Sequence, residues 1–325
     1  MKVARLHATA DLRLHDETDP RPGAGEELVR VTAVGLCGSD RHWFGEGGIG
    51  DSRLTRPLVL GHEIGGVIET GPRAGERVAI DPAIPCGKCE LCATGAGHLC
   101  RDVLFAGHGT TDGGLRTLMA WPARLLQPLP DAIGDDVGAL MEPLGVALHA
   151  ADLGKVAQGM RVGVFGCGPI GLLLVQVLRR LGASAIVATD PISERLAAAL
   201  QMGAERPDAP FADMALDVVF EAAGEDAAVE DAVAAARPGG RVVLVGIPSS
   251  DSTTFRASTA RHKDLTLLLS RRMRASDLPR AIESTVRGDI DLRPLVSARV
   301  PLERAAEAFD RLVRREGLKT IVRPS

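Results

Sequence analysis

The sequence predicts an α/β chain in two parts, one mainly β and rich in loops, the other an alternation of strands and helices. Three observations carry this. The chain has 325 residues, enough for two domains. Residues 1 to about 130 hold short valine-rich strands interrupted by Pro20, Pro22, Gly23, Gly25, Gly71, Pro72 and Gly75. From about residue 133 apolar strand candidates alternate with helix candidates, the pattern of a parallel sheet covered on both faces.

Taken in order, Glu27–Val34 alternates as a half-buried strand does, and Leu58–Leu60 and Gly66–Glu69 resemble it. Nothing in this first part reads as a long helix, so an all-β domain is expected up to the Gln127–Asp131 boundary. Arg161–Phe165 is then a short apolar strand and Pro169–Leu181 a helix with few polar positions, hence mostly buried. Ala185–Thr189 is the next strand. Ser193 is the expected cap of a helix over Glu194–Met202, which Gly203 ends. Leu216–Glu221, Arg241–Gly246 and Leu265–Leu269 are further strands, with a helix at Asp226–Ala236. Ala204–Ala215 is short for a strand plus helix, so the sheet is expected to be trimmed there. Residues 277–325 return to a mixed pattern, with a helix at Pro301–Arg314 and a strand at Leu318–Val322.

Bulk composition excludes several classes. Hydrophobic content is 45% and charged content 25%, as in an ordinary globular protein. A net charge of −4 offers no field for nucleic acid or anionic membrane. The longest apolar stretch, Ile170–Leu178, is too short to span a bilayer. Met1–Ala10 lacks the pattern of a secretory leader, so a cytoplasmic location is expected.

Val162–Gly171 contains G-x-G-x-x-G between a strand and a helix, and Asp190 ends the next strand nineteen residues past Gly171. That context predicts a dinucleotide site on a Rossmann-type sheet. Gly166 permits the tight turn, Gly168 lets pyrophosphate approach the backbone, and Gly171 lets helix and strand close up. Pro169 and Ile170 open the helix whose N-terminus offers free N–H groups to phosphate. Asp190 can accept bonds from ribose hydroxyls and would repel a 2′-phosphate, which favours NAD over NADP. Arg195 completes the expected cofactor contacts. Cys167, inside the loop, reads as a small buried residue without an adjacent base.

Metal ligands are expected at two places. Cys86, Cys89, Cys92 and Cys100 form C-x2-C-x2-C-x7-C, four sulfurs able to close a tetrahedral shell around one structural zinc. Nucleic-acid-binding zinc ribbons use similar ligands, but this lobe has only Lys88, His98 and Arg101 as basic groups and no aromatics. Upstream, Cys37, His62 and Glu63 offer a thiolate, an imidazole and a carboxylate, which leaves a fourth position open as at catalytic zinc. Adjacent strand residues face opposite ways, so His62 and Glu63 need a bent backbone; Gly61, Gly65 and Gly66 could supply it. Glu142 is an alternative carboxylate. Asp40 could orient His62 through its outer nitrogen.

These stretches, with Gly35–Asp40, His42, Leu60–Glu63, Glu142–Ala150, Pro294–Val296 and Leu318–Val322, resemble the zinc-dependent medium-chain dehydrogenase/reductase family, alcohol dehydrogenase-like, and its polyol (sorbitol) dehydrogenase branch most. The resemblance covers essentially the whole chain. It implies a GroES-like, mainly β catalytic domain from both chain ends, 1–134 and 277–325, with a structural zinc lobe at 81–101. A Rossmann NAD-binding domain, 135–276, is inserted between. It also implies a catalytic zinc on Cys37, His62 and Glu63, with Glu142 able to approach the metal. Ser39 matches the hydroxyl that relays the proton, His42 a histidine near the site, and Arg271 a substrate-side arginine. A dimer or tetramer is implied as well. The chain departs from the branch in having no tyrosine, and Trp43 and Arg272 stand in the corresponding neighbourhoods. Gly107–Gly114 also looks shortened.

The expected chemistry is reversible oxidation of a secondary alcohol, in a polyol or sugar-like substrate, to the ketone with hydride transfer to NAD. Threonine or another amino alcohol, or a vicinal diol, is the alternative substrate. A zinc-free reductase is disfavoured by the Cys37, His62 and Glu63 set. A nucleotide-binding homologue without catalysis is disfavoured by the intact ligands.

Overall fold

The computed structural model describes residues 1–250 and 252–325. They form two compact units, Met1–Glu142 with Arg274–Ser325, and Pro143–Met273. These limits differ from 134/135 and 276/277 for local reasons. The helix Asp135–Ala139 packs so tightly on the strand Glu63–Ile68 that a Cβ at Gly65 would meet Ala139 N and Asp135 O, both at 3.2 Å. At the other limit, Asp277 accepts the Arg274 N–H at 2.8 Å, so residue 274 belongs to the cap of the helix Asp277–Val286.

In the first unit, among the described residues, a seven-stranded sheet runs in the order Leu126–Pro128, Arg77–Ile80, Glu63–Ile68, Glu26–Gly35, Lys319–Arg323, Val296–Pro301, with Leu118–Pro122 also on Glu26–Gly35. Val29, Val31, Ile64, Ile68 and Val78 point into one core at no more than 1% exposure. Each such side chain contributes about 1.5–3 kcal/mol on burial. The strand Lys319–Arg323 joins Glu26–Gly35 antiparallel, Ile321 opposite Gly35, which delivers the chain's C-terminal strand to the middle of the sheet.

One expectation fails here. The first unit is not all β: Gly38–Glu46 is a helix of nine residues. Gly, Ser and Asp read as turn formers, but here they make the first turn of a helix. Cys37 is its N-cap, and the Asp40 carboxylate accepts the Cys37 N–H at 3.0 Å, the reciprocal arrangement of a capping box.

The second unit carries a parallel five-stranded sheet in the order Ala185–Thr189, Arg161–Phe165, Leu216–Glu221, Ala236–Leu244, Thr266–Leu269, again among the described residues. Its trimming falls where the short Ala204–Ala215 stretch predicts: Glu205 makes a lone bridge to Val187 and Phe211–Asp213 is a single 3-10 turn. Ser193 is the first helical residue rather than the cap, which is Ile192; Asp190 accepts the Ile192 N–H at 2.8 Å and holds the entry to the helix. Thr266–Leu269 is a sheet edge, and Leu269 is 78% exposed on it. No helix among the described residues is long and apolar enough to cross a membrane.

Candidate functional site

In the first unit Cys37, His62 and Glu63 come together, each offering a ligand atom, all within 4.8 Å of one another. The sheet explains why. Gly35 is paired with Glu63 across the ladder, so Cys37, just past the end of one strand, meets the start of the next. A Cβ at Gly35 would overlap the Glu63 carboxylate; glycine leaves the room that carboxylate fills. Gly61, with φ of 92°, supplies the bend that lets His62 and Glu63 face one point. Gly65 and Gly66 lie inside the regular strand and do not contribute to it. His62 and Glu63 are buried, and Cys37 is half-buried.

Two of the three donors, His62 and Glu63, are held by a second group. Asp40 Oδ1 lies 3.5 Å from His62 Nδ1, an ion-pair distance rather than a hydrogen bond, and also accepts the Gly61 N–H at 3.3 Å. The other ring nitrogen, Nε2, faces Ser39 Oγ at 3.4 Å. Lys319, fully buried, donates to both Glu63 oxygens at 2.6 and 2.8 Å and to Leu36 O at 2.9 Å. Burial disfavours a charged ring, yet Asp40 and Cys37 outweigh it and hold His62's proton affinity well above the ordinary imidazole value. Burial pushes the Glu142 carboxyl up to about 7, with Glu63 adding to the rise and His62 opposing it. Such a site attracts positive charge strongly, and a divalent cation satisfies it in place of a proton. The sulfur, nitrogen and oxygen donors are the set that zinc takes.

Helix Gly38–Glu46 carries Ser39 and His42, both buried. His42 Nδ1 is 3.0 Å from Glu46 Oε2 and its Nε2 is 3.4 Å from Arg41. An aromatic group that sequence reasoning missed packs on His62: Phe105 and His108 have ring centroids 5.4 and 5.2 Å from it, and Trp43 stands edge-on to His108 at 5.7 Å. Lys319 was missed too, although a lone lysine in the apolar run Leu318–Val322 is a legible signal of a buried partner.

The four lobe cysteines also converge. Cys89 Sγ lies 3.5 Å from Cys92 and 3.9 Å from Cys100, and Cys86 Sγ lies 3.9 Å from Cys92. A tetrahedron of sulfurs at about 2.3 Å from zinc has edges of about 3.8 Å, so this spacing fits the ion. Backbone N–H groups of Lys88 and Cys89 pull the Cys86 thiol down to about 7, while burial and the Cys89 thiol push Cys92 up to about 12. Sulfurs this close resist ionising together unless a cation joins them.

In the second unit Gly166 has φ of 99°, and a Cβ there would meet Ala223 N at 2.7 Å. Gly168 is the N-cap and Pro169 the first residue of the helix Pro169–Arg180, so Ile170 and Gly171 sit in its first turn. A Cβ on Gly171 would overlap Gly166 O, the close packing expected of the third glycine. Asp190 accepts the Cys167 N–H at 2.7 Å, which locks strand end to loop. The Arg195 guanidinium lies 3.8 Å from the Cβ position of Gly168. Burial pushes the Cys167 thiol up to about 12, an inert side chain. Arg271 is exposed near the end of this unit, and Arg272 beside it has φ of 58°.

Residues 23–131 match the alcohol dehydrogenase GroES-like domain family, and residues 169–287 the zinc-binding dehydrogenase family. Sorbitol dehydrogenase of Bacillus subtilis (strain 168) is 32% identical over 345 residues, covering 100% of this chain and 98% of the relative. Human sorbitol dehydrogenase is 35% identical, covering 98% and 94%. Among solved structures, L-idonate 5-dehydrogenase from Escherichia coli K-12 superposes with a TM-score of 0.90 at 29% identity, covering 99% of this chain and 97% of the other. A short chain alcohol dehydrogenase from Escherichia coli CFT073 complexed with NADH gives 0.89 at 29%, covering 99% of each. A zinc-binding dehydrogenase from Sinorhizobium meliloti 1021 bound to NADP gives 0.90 at 28%, again covering 99% of each. With a GroES-like domain, a nucleotide-binding domain and full-length polyol dehydrogenase relatives, this chain belongs to the zinc-dependent medium-chain alcohol dehydrogenase family and to its polyol branch.

Proposed function

We propose that the chain oxidises a secondary alcohol of a polyol or sugar alcohol to the ketone, reversibly, with zinc and NAD. The observation that carries this is the convergence of Cys37, His62 and Glu63 within 4.8 Å. When bound, zinc supplies Lewis acidity to the alcohol oxygen and the nicotinamide accepts hydride. Cys37, His62 and Glu63 would hold the catalytic ion, and the four lobe cysteines a structural one. Asp40 orients the His62 ring, and Lys319 keeps the Glu63 carboxylate aimed. Glu142, buried and reluctant to ionise, is the reserve carboxylate. Ser39 takes the alcohol proton and His42 receives it next. The glycine loop Gly166–Gly171 with the helix N-terminus holds pyrophosphate, and Asp190 takes the ribose hydroxyls and disfavours a 2′-phosphate. Arg195 borders the same loop, and we assign Arg271 to the substrate side.

A panel of polyols, sugar alcohols, vicinal diols and threonine, run with NAD and NADP and followed at the nicotinamide absorbance, tests this reading. Turnover is expected with a polyol and NAD, and metal analysis should find about two zinc per chain. Turnover of threonine alone would transfer the reading to amino alcohols, and no turnover with the zinc-loaded protein would overturn it.

We also infer a homo-oligomer, because the sheet edge Thr266–Leu269 leaves Leu269 exposed and unpaired backbone beside it. Light scattering after gel filtration should give a mass of two or four chains. A reducing, cytoplasmic location suits six cysteines that are all free.

A further inference from the structure

We propose that Glu221 is a positioning residue of the dinucleotide site: its buried carboxylate fixes the turn that follows its own strand, and that turn is the wall on which the glycine loop rests. This deepens the NAD-binding part of the reading above and rests on it. In the parallel sheet, Arg161–Phe165 has Ala185–Thr189 on one side and Leu216–Glu221 on the other. The strand order reverses there, and open sheets of this kind bind ligands beyond the carboxyl ends of the strands at such a switch point. Phe165 and Glu221 are those carboxyl ends and lie opposite each other in the ladder, with Leu244 opposite Glu221 on its other side.

Glu221 is 1% exposed, so it acts through the backbone around it rather than on the cofactor. A carboxylate buried that deeply must be met by hydrogen-bond donors. Its Oε1 accepts the N–H groups of Ala223 at 2.7 Å and Gly224 at 2.6 Å. Burial raises its proton affinity above the ordinary carboxylate value, and the N–H groups of Gly224, Ala223, Glu225 and Gly246 oppose that rise. The turn so held has backbone against it on either side. Ala222 donates to Phe165 O at 2.7 Å, and a Cβ on Gly166 would meet Ala223 N at 2.7 Å and Ala222 C at 2.8 Å. Toward the next strand, a Cβ on Gly224, where φ is 71°, would overlap Ile247 O, and one on Gly246 would meet Glu221 Oε2 at 2.8 Å. No side chain cushions the contact between the turn and Gly166. Any shift of the turn therefore moves the loop whose N–H groups are assigned to pyrophosphate.

Calorimetric titration with NAD tests this. Glu221→Gln removes the charge and turns a donor toward donors, so it should weaken NAD binding about tenfold or more. In turnover the KM for NAD should rise by the same factor while kcat at saturating NAD stays within about twofold, a split that general loss of structure does not produce. Asp217→Asn is the control. Asp217 accepts the Arg161 N–H at 2.9 Å at the opposite end of the same strand, away from both turns. Its loss should leave NAD affinity within about twofold of wild type. Glu221→Asp keeps the charge but draws it back by one methylene; it should also weaken NAD binding, and it carries the test if the glutamine variant does not fold. Unchanged NAD affinity in the Glu221 variants, or an equal loss in Asp217→Asn, overturns the proposal. Hydrogen exchange of the cofactor-free protein gives a second readout. The amides of Gly166 and Cys167, bonded to Thr189 O and to Asp190, should exchange faster in Glu221→Gln than in wild type or Asp217→Asn. Equal rates in all three would overturn the proposal without any cofactor. If wild type binds no dinucleotide, the NAD reading fails, and the exchange rates still decide whether Glu221 seats the loop.

Discussion

The two clusters proposed to bind metal gather their ligands in opposite ways. In the lobe, four like donors come from fifteen consecutive residues, Cys86 to Cys100, and only Cys100 is buried. At Cys37, His62 and Glu63, three unlike donors come from a helix cap and the start of one strand, and His62 and Glu63 each lean on a further group. The first needs the ion to hold its shape, because its thiols crowd one another and little apolar material surrounds them. The second is also supported by the protein: Asp40 and Lys319 are fixed around it by hydrogen bonds and burial. That difference separates a staple from a reactive centre, whose donors must keep their geometry while a substrate enters and leaves.

Removing a ligand breaks the comparison most sharply. His62→Ala should lower kcat/KM by about 10^3-fold or more and leave about one zinc per chain, with a lowered thermal unfolding midpoint because the buried Asp40 carboxylate loses its partner. Lys319→Met comes next. It strands the Glu63 carboxylate without its counter-charge, a loss of about 3–5 kcal/mol in denaturant unfolding, and should weaken zinc binding at this site about 10–100-fold. The double change Lys319→Met with Glu63→Gln should recover much of the stability but not the zinc. Cys100→Ser is a milder, structural lesion. It should lower the midpoint of thermal unfolding by roughly 5–10 °C and release the lobe's zinc, with activity per folded molecule retained at low temperature.

The smallest effect is on pH dependence, and its sign follows from the shifted groups. Both His62 and Glu142 bind protons more tightly in the folded, metal-free protein than in the unfolded chain. Their stabilising contributions are therefore complete at low pH. Glu142's is lost as pH rises from the ordinary carboxylate range through about 7, and His62's above the ordinary imidazole value. Metal-free protein should thus lose stability across neutrality, read by denaturant titrations at several pH values. Zinc affinity at Cys37, His62 and Glu63 should rise over the same interval, since each proton competes with the ion.

Much of this was legible in the sequence where the signal is local. Cysteine spacing, the glycine loop ahead of a helix, and the alternation of strands and helices each state their own geometry. The trimmed stretch at Ala204–Ala215 was legible as well, being too short for what should fill it. What escaped was built from residues far apart in the chain. Lys319 meets Glu63 across 256 residues, and His108 reaches His62 through the fold of a loop. The helix Gly38–Glu46 escaped for another reason: its opening residues favour turns, and only the Cys37–Asp40 capping reveals them as a helix start.

The central claim is that Cys37, His62 and one carboxylate grip a zinc distinct from the one in the lobe. Anomalous diffraction at the zinc absorption edge, from crystals of protein purified without chelator, tests it directly. Two peaks are predicted, one at about 2.3 Å from Cys37 Sγ and about 2.0–2.1 Å from a His62 nitrogen. A single peak among Cys86, Cys89, Cys92 and Cys100, with no anomalous density beside Cys37 at saturating zinc, would contradict the account.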